Sequence, residues 1–254
     1  MVTAYYDRLA SSYGDGELFG ARRAAVLAAI APELSSARSI LDLGCGNGAY
    51  LAEFVARVPA AHVVGADLSP EMLRAARRRV GSQADLARAN ACALPFTGAR
   101  FDIVFMSHVL QLVADVDQCI TEAAACVSDG GWLISTVGTG GWRAAVAETL
   151  GADNVQELAV LIKSVRSRAR AADDRADVDA ACTHADLAAQ YRDAPLSVTW
   201  AAFEEWMRIR WLGLVDDAKR AQAEEWLDRV RSSNADRVLS IKQSVLVARK
   251  VPHA

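Results

Sequence analysis

From residue 40 to residue 48 the chain reads Ile-Leu-Asp-Leu-Gly-Cys-Gly-Asn-Gly, an apolar run that ends in three alternate glycines. A short buried strand has to stop abruptly here, and the backbone has to turn without side chains in the way. Gly44, Gly46 and Gly48 permit both. The helix that follows opens with free N–H groups at the same place, so the turn makes a ligand cradle at the carboxyl end of a strand. A parallel sheet covered by helices on both faces is the architecture that contains such a turn.

The surrounding sequence keeps that rhythm. Residues 39–43 read as the first strand and 50–58 as a helix; 62–67 form a second strand and 70–80 a second helix. Pro70 near the helix start and Gly81 just past its end punctuate that helix. A weaker strand over 85–90, a strongly apolar one over 101–106, a helix over 116–127 and a strand over 132–137 complete the alternation. The second half departs from it. Gly138 to Gly141 reads as a hinge, 142–171 as mostly helical, and 166–181 as a charge run of arginine and aspartate. Residues 183–191 read as a helix, 196–199 as a strand, 203–211 and 216–231 as helices, and 238–248 as the last strand. No internal repeat or linker divides the 254 residues, so residues 1–254 are expected to be a single domain.

Composition removes several classes of function. A net charge of -3 gives no electrostatic footprint for a nucleic acid. No apolar run approaches the length that spans a bilayer, and the N-terminus lacks a basic stretch followed by an apolar core. The expected location is cytoplasmic. Cys45, Cys92, Cys119, Cys126 and Cys182 are odd in number and form no CxxC pair, which argues against a disulfide framework or a structural zinc. No metal site is expected.

Asp42 narrows the ligand. A dinucleotide site places a pyrophosphate at the glycine turn, where a carboxylate two residues before Gly44 would repel it; a cationic ligand would be attracted. With Asp42 the turn resembles the first motif of the class I S-adenosylmethionine-dependent methyltransferases, of the small-molecule, quinone-biosynthesis-like type. The likeness continues through residues 63–73 (VVGADLSPEML), 90–96 (NACALPF) and 101–104 (FDIV), all in order over about residues 36–137. It implies a Rossmann-like, doubly wound α/β sheet of seven strands with an antiparallel last strand. In that sheet 238–248 would lie beside the fifth strand and 196–199 outside it. Residues 36–137 would be the cofactor-binding half, with 138–182 and 203–233 as helical cap insertions.

The resemblance also implies roles. Asp42, Gly44, Cys45, Gly46 and Gly48 would form the turn around S-adenosylmethionine, and Asp67 would hold the ribose hydroxyls. Leu68 and Met72 would pack on the adenine faces, and Ala91 would offer it a backbone N–H. Asn90 stands where the family commonly has aspartate; it keeps an acceptor oxygen but loses charge assistance. Residues 5–23 resemble the helix that closes over the cofactor, with Tyr13, Arg22 and Arg23 as candidates for the methionine carboxylate and Arg22 favoured.

Ser107 and His108 follow the fourth strand at the carboxyl edge of the sheet, where α/β ligands bind; Ser107 counts among the expected cofactor-binding residues, and His108 faces the acceptor side. His108 is the candidate general base, although in-line positioning of the acceptor can suffice without one. Trp142, Trp200, Trp206 and Trp211 suit either an apolar acceptor pocket or helix packing, and the sequence leaves both open. The expected activity is methyl transfer to a small organic acceptor, in secondary metabolism or of the quinone type. The alternatives are a protein that binds this cofactor without transferring its methyl group and, against Asp42, a nicotinamide oxidoreductase.

Overall fold

β-Branched and apolar runs become strands wherever a neighbour completes their backbone hydrogen bonds, and seven of them do so in one sheet. They are β1 (Ser39–Leu43), β2 (His62–Asp67), β3 (Asp85–Arg88), β4 (Phe101–Met106), β5 (Val127–Val137), β6 (Leu187–Thr199) and β7 (Val238–Lys250). Their order is β3-β2-β1-β4-β5-β7-β6. The computed structural model describes residues 6–7, 10, 13–96, 98, 100–138, 141–157, 175–210, 217–234 and 236–252.

The first five strands are parallel, and β7 runs antiparallel between β5 and β6. From β1 the chain winds outward through α3 (Ala49–Arg57) and α4 (Pro70–Val80) to β3, then returns to β4 on the other side of β1. The winding reverses between β1 and β4, and ligands bind where carboxyl ends diverge in this way. α1 (Glu17–Ala29), α2 (Ala31–Ser36) and α3 cover one face, and α5 (Val116–Cys126) and α7 (Arg175–His184) the other.

The amphipathic helices fix the turn in place. Leu51 and Phe54 of α3 are fully buried, and the Phe54 ring meets Phe105 of β4 edge to face at 5.3 Å. Truncating such a residue costs about 3–5 kcal/mol, so the start of α3 is held rigidly over the sheet. Ser69 caps α4 by accepting from the Met72 N–H at 3.1 Å.

Three elements differ from the sequence expectation. The helix read over 183–191 ends at His184, and Asp186 in a left-handed conformation (φ 55°) turns the chain into β6. Along that strand all thirteen residues pair with β7, from Leu187 with Lys250 to Thr199 with Val238. A complete ladder outweighs the helix preference of Ala188 and Ala189. β5 starts at Val127, ahead of the glycines rather than after them, and its register against β4 shifts between Phe101 and Ile103. Gly131 fits inside it because a Cβ there would lie 2.9 Å from the Asp102 and Ser128 carbonyl oxygens. β3 stops at Arg88, and Asn90 instead bridges to Ala93.

A second apolar cluster joins α6 (Gly141–Leu150), α8 (Trp200–Arg210) and α9 (Asp217–Asn234) to the ends of β6 and β7 and to Leu18 of α1. Trp200, Trp206 and Trp226 are buried in it, and Trp142 packs on its edge. Trp211, His253 and residues 158–174 lie outside the described residues, as does part of the glycine hinge. Among the described residues, no helix is long and apolar enough to cross a membrane.

Candidate active site

A cleft of about 380 Å³ opens at the carboxyl ends of β1, β2 and β4, where the winding reverses. Its floor is the glycine turn. Gly44 and Cys45 both donate backbone N–H groups to the Ala66 carbonyl, at 2.7 and 3.0 Å, which pulls the turn against β2. Gly44 has φ 75°, and a Cβ there would come within 2.4 Å of Val109 Cγ2. Only glycine lets the loop after β4 lie on the turn this closely. Gly48 (φ 80°) starts α3 with the Ala76 backbone 3.0 Å from where its Cβ would be.

Asp67 closes β2 and faces this floor. Its Oδ2 accepts from the Gly46 N–H and its Oδ1 from the Ser69 N–H, both at 2.8 Å. Burial raises its pKa, backbone hydrogen bonds from Ser69, Gly46 and Leu68 pull it down, and the nearby Asp7 raises it again. The carboxylate is therefore held in one orientation before any ligand arrives. Beside it Leu68 is 47% exposed at the mouth, while Met72 is buried and also faces the cleft. Asn90 and Ala91 form the opposite wall. The Asn90 Oδ1 already accepts from the Cys92 N–H at 3.1 Å, so one of its two lone pairs is committed.

Asp42 lies behind the floor, 1% exposed, and its Oδ2 has no hydrogen-bond partner. Burial first, and the neighbouring Asp67 second, push its carboxyl well above the usual carboxylate range. Cys45 is buried beside it, and its thiol is likewise pushed well up. Asp42, Cys45 and Gly48 support the wall without lining it.

Past β4, Ser107 and His108 line the other end of the cleft. His108 has a left-handed backbone (φ 58°), unusual for a residue with a side chain and held by its N–H donating to Thr136 Oγ1 at 2.8 Å. Arg22 Nη1 lies 3.2 Å from His108 Nε2. A guanidinium only donates, so Nε2 accepts from Arg22, while Nδ1 stands 3.4 Å from the Gln111 amide nitrogen. Ser107 is hydrogen-bonded to Tyr50, whose hydroxyl burial pushes up to about 12.

The resemblance points Arg22 at the cofactor's carboxylate; in the structure it is buried, lies over the Trp206 ring at 5.4 Å and has Nη1 3.2 Å from His108 Nε2. Arg23 pairs with Glu53 instead. Tyr13 does line the cleft, stacked edge to face on Tyr6 at 5.3 Å, and both rings pack with Met72 and Ala75 of α4.

The comparisons with known proteins agree with this geometry. The family model described as a methyltransferase domain matches residues 41–135. Over residues 41–135 the chain is therefore similar to methyltransferase domains. The demethylmenaquinone methyltransferase of Thermus thermophilus is 36% identical over 100 residues, covering 38% of this chain and 46% of the relative. The trans-aconitate 2-methyltransferase of an Azoarcus species is 40% identical over 104 residues, 39% of each chain. The chain thus spans about half or less of the length of these curated relatives. The YcgJ protein from Bacillus subtilis shares the fold with a TM-score of 0.61 at 16% identity, over 89% of this chain and 99% of that one.

The cofactor of class I methyltransferase domains is S-adenosylmethionine, and the residues present suit it. Asp67 presents an oriented carboxylate at the edge of the glycine-floored cleft, and Leu68, Met72, Asn90 and Ala91 line a largely apolar slot beside it. Among the described residues no cluster of histidine, cysteine or acidic side chains could hold a metal ion.

Several site residues escaped the sequence reading. Asn47, inside the glycine motif, is hydrogen-bonded to the Tyr13 carbonyl and accepts from Arg79 at 3.1 Å, while Arg79 also reaches Asp15 at 2.8 Å. That network ties the N-terminal segment to the turn. Ser69 Oγ donates to Asp7. Tyr50, two residues after the last glycine, was detectable by position; Tyr6 and Asp7 lie within the 5–23 segment expected to close over the cofactor but were not singled out in it.

Proposed function

We propose that this chain is an S-adenosylmethionine-dependent methyltransferase acting on a small organic acceptor. The observation that carries the reading is Asp67, fixed by Gly46 and Ser69 at the edge of a glycine-floored cleft. When bound there, S-adenosylmethionine supplies an electrophilic methyl group on a sulfonium centre. Asp67 holds the ribose hydroxyls, Leu68 and Met72 flank the adenine, Asn90 and Ala91 read its edge, and Tyr13 faces the amino-acid end. Ser107 and His108 stand on the acceptor side.

The acceptor's nucleophilic atom is held in line with the methyl group, and this positioning is the main catalytic contribution of the fold. We assign His108 Nε2 as the acceptor of any proton released. Its lone pair now receives Arg22, and the acceptor's own O–H or N–H takes that place. Arg22 is then a positioning residue that holds the histidine ring. The helices α6, α8 and α9, with their shared tryptophan-rich cluster, act as the cap beside the acceptor end.

Relatives named for demethylmenaquinone and ubiquinone biosynthesis favour a quinone-type or secondary-metabolite acceptor. A net charge of -3 favours a small molecule over a nucleic acid, and the cytoplasm is the proposed location. The test is transfer of labelled methyl from S-adenosylmethionine to a panel of phenolic, quinol and carboxylic acceptors. Product with one class supports the reading. Tight cofactor binding with no product in any class, including carbon and nitrogen nucleophiles, would turn it into a binding protein.

A further inference from the structure

β4 leaves the sheet after Met106, whose ladder partner is Ser135 of β5. Thr136 is the next residue of β5; it pairs on its other side with Val245 of β7 and is buried. It therefore stands beside the point where the chain turns out of the sheet. Past the end of the ladder the His108 N–H donates to a side chain, Thr136 Oγ1, at 2.8 Å. His108 itself has φ 58°, a left-handed backbone that is costly for a residue with a Cβ and persists only where the surroundings hold it. Its chain neighbours are clamped as well. Val109 lies so close on Gly44 that a Cβ there would come within 2.4 Å of its Cγ2, and the Leu112 N–H donates to the Val109 carbonyl at 2.8 Å. Those contacts fix Val109, whereas the Thr136 bond acts on the His108 backbone. A change of φ towards the ordinary negative range would rotate the Cα–Cβ bond about N–Cα. The imidazole would then swing from its place in the cleft lining, where Nε2 stands 3.2 Å from Arg22 Nη1.

We propose that Thr136 is a positioning residue for methyl transfer: its hydroxyl holds His108 in the left-handed conformation that keeps the imidazole at the acceptor end of the cleft. The proposal rests on the reading of His108 Nε2 as the group that takes the acceptor's proton. Thr136 is not part of the cleft lining and acts through the backbone of His108. A reacting group displaced by about 1 Å can cost about a hundredfold in rate, so a single hydrogen bond to the loop backbone is enough to matter. The chemistry required at position 136 is an acceptor oxygen. Valine matches threonine in shape and β-branching and lacks that oxygen; serine keeps it.

The test is steady-state methyl transfer by the intact protein, with the phenolic, quinol or carboxylic acceptor that gives product in the labelled-methyl panel. Thr136→Val should lower kcat by about tenfold to a hundredfold, with S-adenosylhomocysteine affinity nearly unchanged. Thr136→Ser should restore most of that loss. Thr136→Ala removes the same oxygen and should repeat the loss, which keeps the test open if the valine variant does not fold. In a His108→Ala background Thr136→Val should cost nothing further, because the ring it positions is gone. Amide hydrogen exchange at His108 should speed up in Thr136→Val and slow again in Thr136→Ser. Wild-type turnover in Thr136→Val would overturn the proposal and leave the role of His108 standing, as would a loss of equal size with and without the imidazole. A loss below about tenfold in His108→Ala, or no product with any acceptor, would overturn the reading of His108 and this proposal with it.

Discussion

Replacing Asp67 with alanine removes a carboxylate that organises the cleft before any ligand arrives. Both oxygens already face backbone N–H groups at 2.8 Å, so the side chain pays little ordering entropy when it meets ribose hydroxyls. A hydrogen bond to a charged group contributes about 1.5–3 kcal/mol and a neutral one about 1 kcal/mol. At about 1.4 kcal/mol per decade, Asp67→Ala should weaken S-adenosylhomocysteine binding roughly 10- to 150-fold. Asn90→Ala, whose acceptor oxygen is neutral and half committed to the Cys92 N–H, should cost about fivefold or less. Titration calorimetry on both variants measures the ranking, with thermal unfolding to establish that each is folded. Asp67→Asn, which keeps the shape but opposes an amide N–H to a backbone N–H, should fall near the alanine variant. Equal losses, or a larger loss for Asn90→Ala, would refute the assignment of Asp67 to the ribose.

Further outcomes follow from the same geometry. His108→Ala should lower turnover by about 10²–10⁴-fold with cofactor affinity nearly unchanged, as measured by steady-state kinetics on a known acceptor; a loss below about tenfold would leave positioning as the sole catalytic term. Arg22→Gln should lower turnover while keeping the affinity ratio of S-adenosylhomocysteine to methylthioadenosine unchanged, since Arg22 acts through His108. A selective loss of S-adenosylhomocysteine binding would assign Arg22 to the methionine carboxylate instead. Asp42 has a folded-state pKa raised above its unfolded value, so the ligand-free protein binds more protons folded than unfolded and loses stability as pH climbs from the ordinary carboxylate range through the raised value. The Tm of Asp42→Asn relative to wild type should therefore rise with pH, and a constant difference would contradict the assignment.

The parts of the fold that were legible in the sequence are those written in local chemistry. The run from Ile40 to Gly48 needed no tertiary information, because a strand followed by alternate glycines has few conformations. Ser69, Pro70 and Gly81 bounded α4 for equally local reasons. β6 was not legible over most of its length: the alanines at 188 and 189 favour helix, and only pairing with the whole of β7 makes them strand. The tryptophans could not be placed because pocket walls and packed cores use the same residues, and Trp200 and Trp206 proved to fill a core. Asp67 was found through its place at the end of a strand. Its neighbour Asp7, sixty-two residues from Ser69 in sequence, joins the site by a tertiary contact alone. The tandem pair Arg22 and Arg23 could not be told apart, because the sequence does not reveal that one member stacks on Trp206 and the other pairs with Glu53.

The central claim is that the cleft at the β1–β4 switch point is built for S-adenosylmethionine and not for a dinucleotide. Calorimetric titration of the intact protein with S-adenosylhomocysteine and, separately, with NAD tests it directly. The account predicts one-to-one binding of S-adenosylhomocysteine, with Asp67 on its ribose, and no measurable heat with NAD. Micromolar binding of NAD with no response to S-adenosylhomocysteine would contradict it.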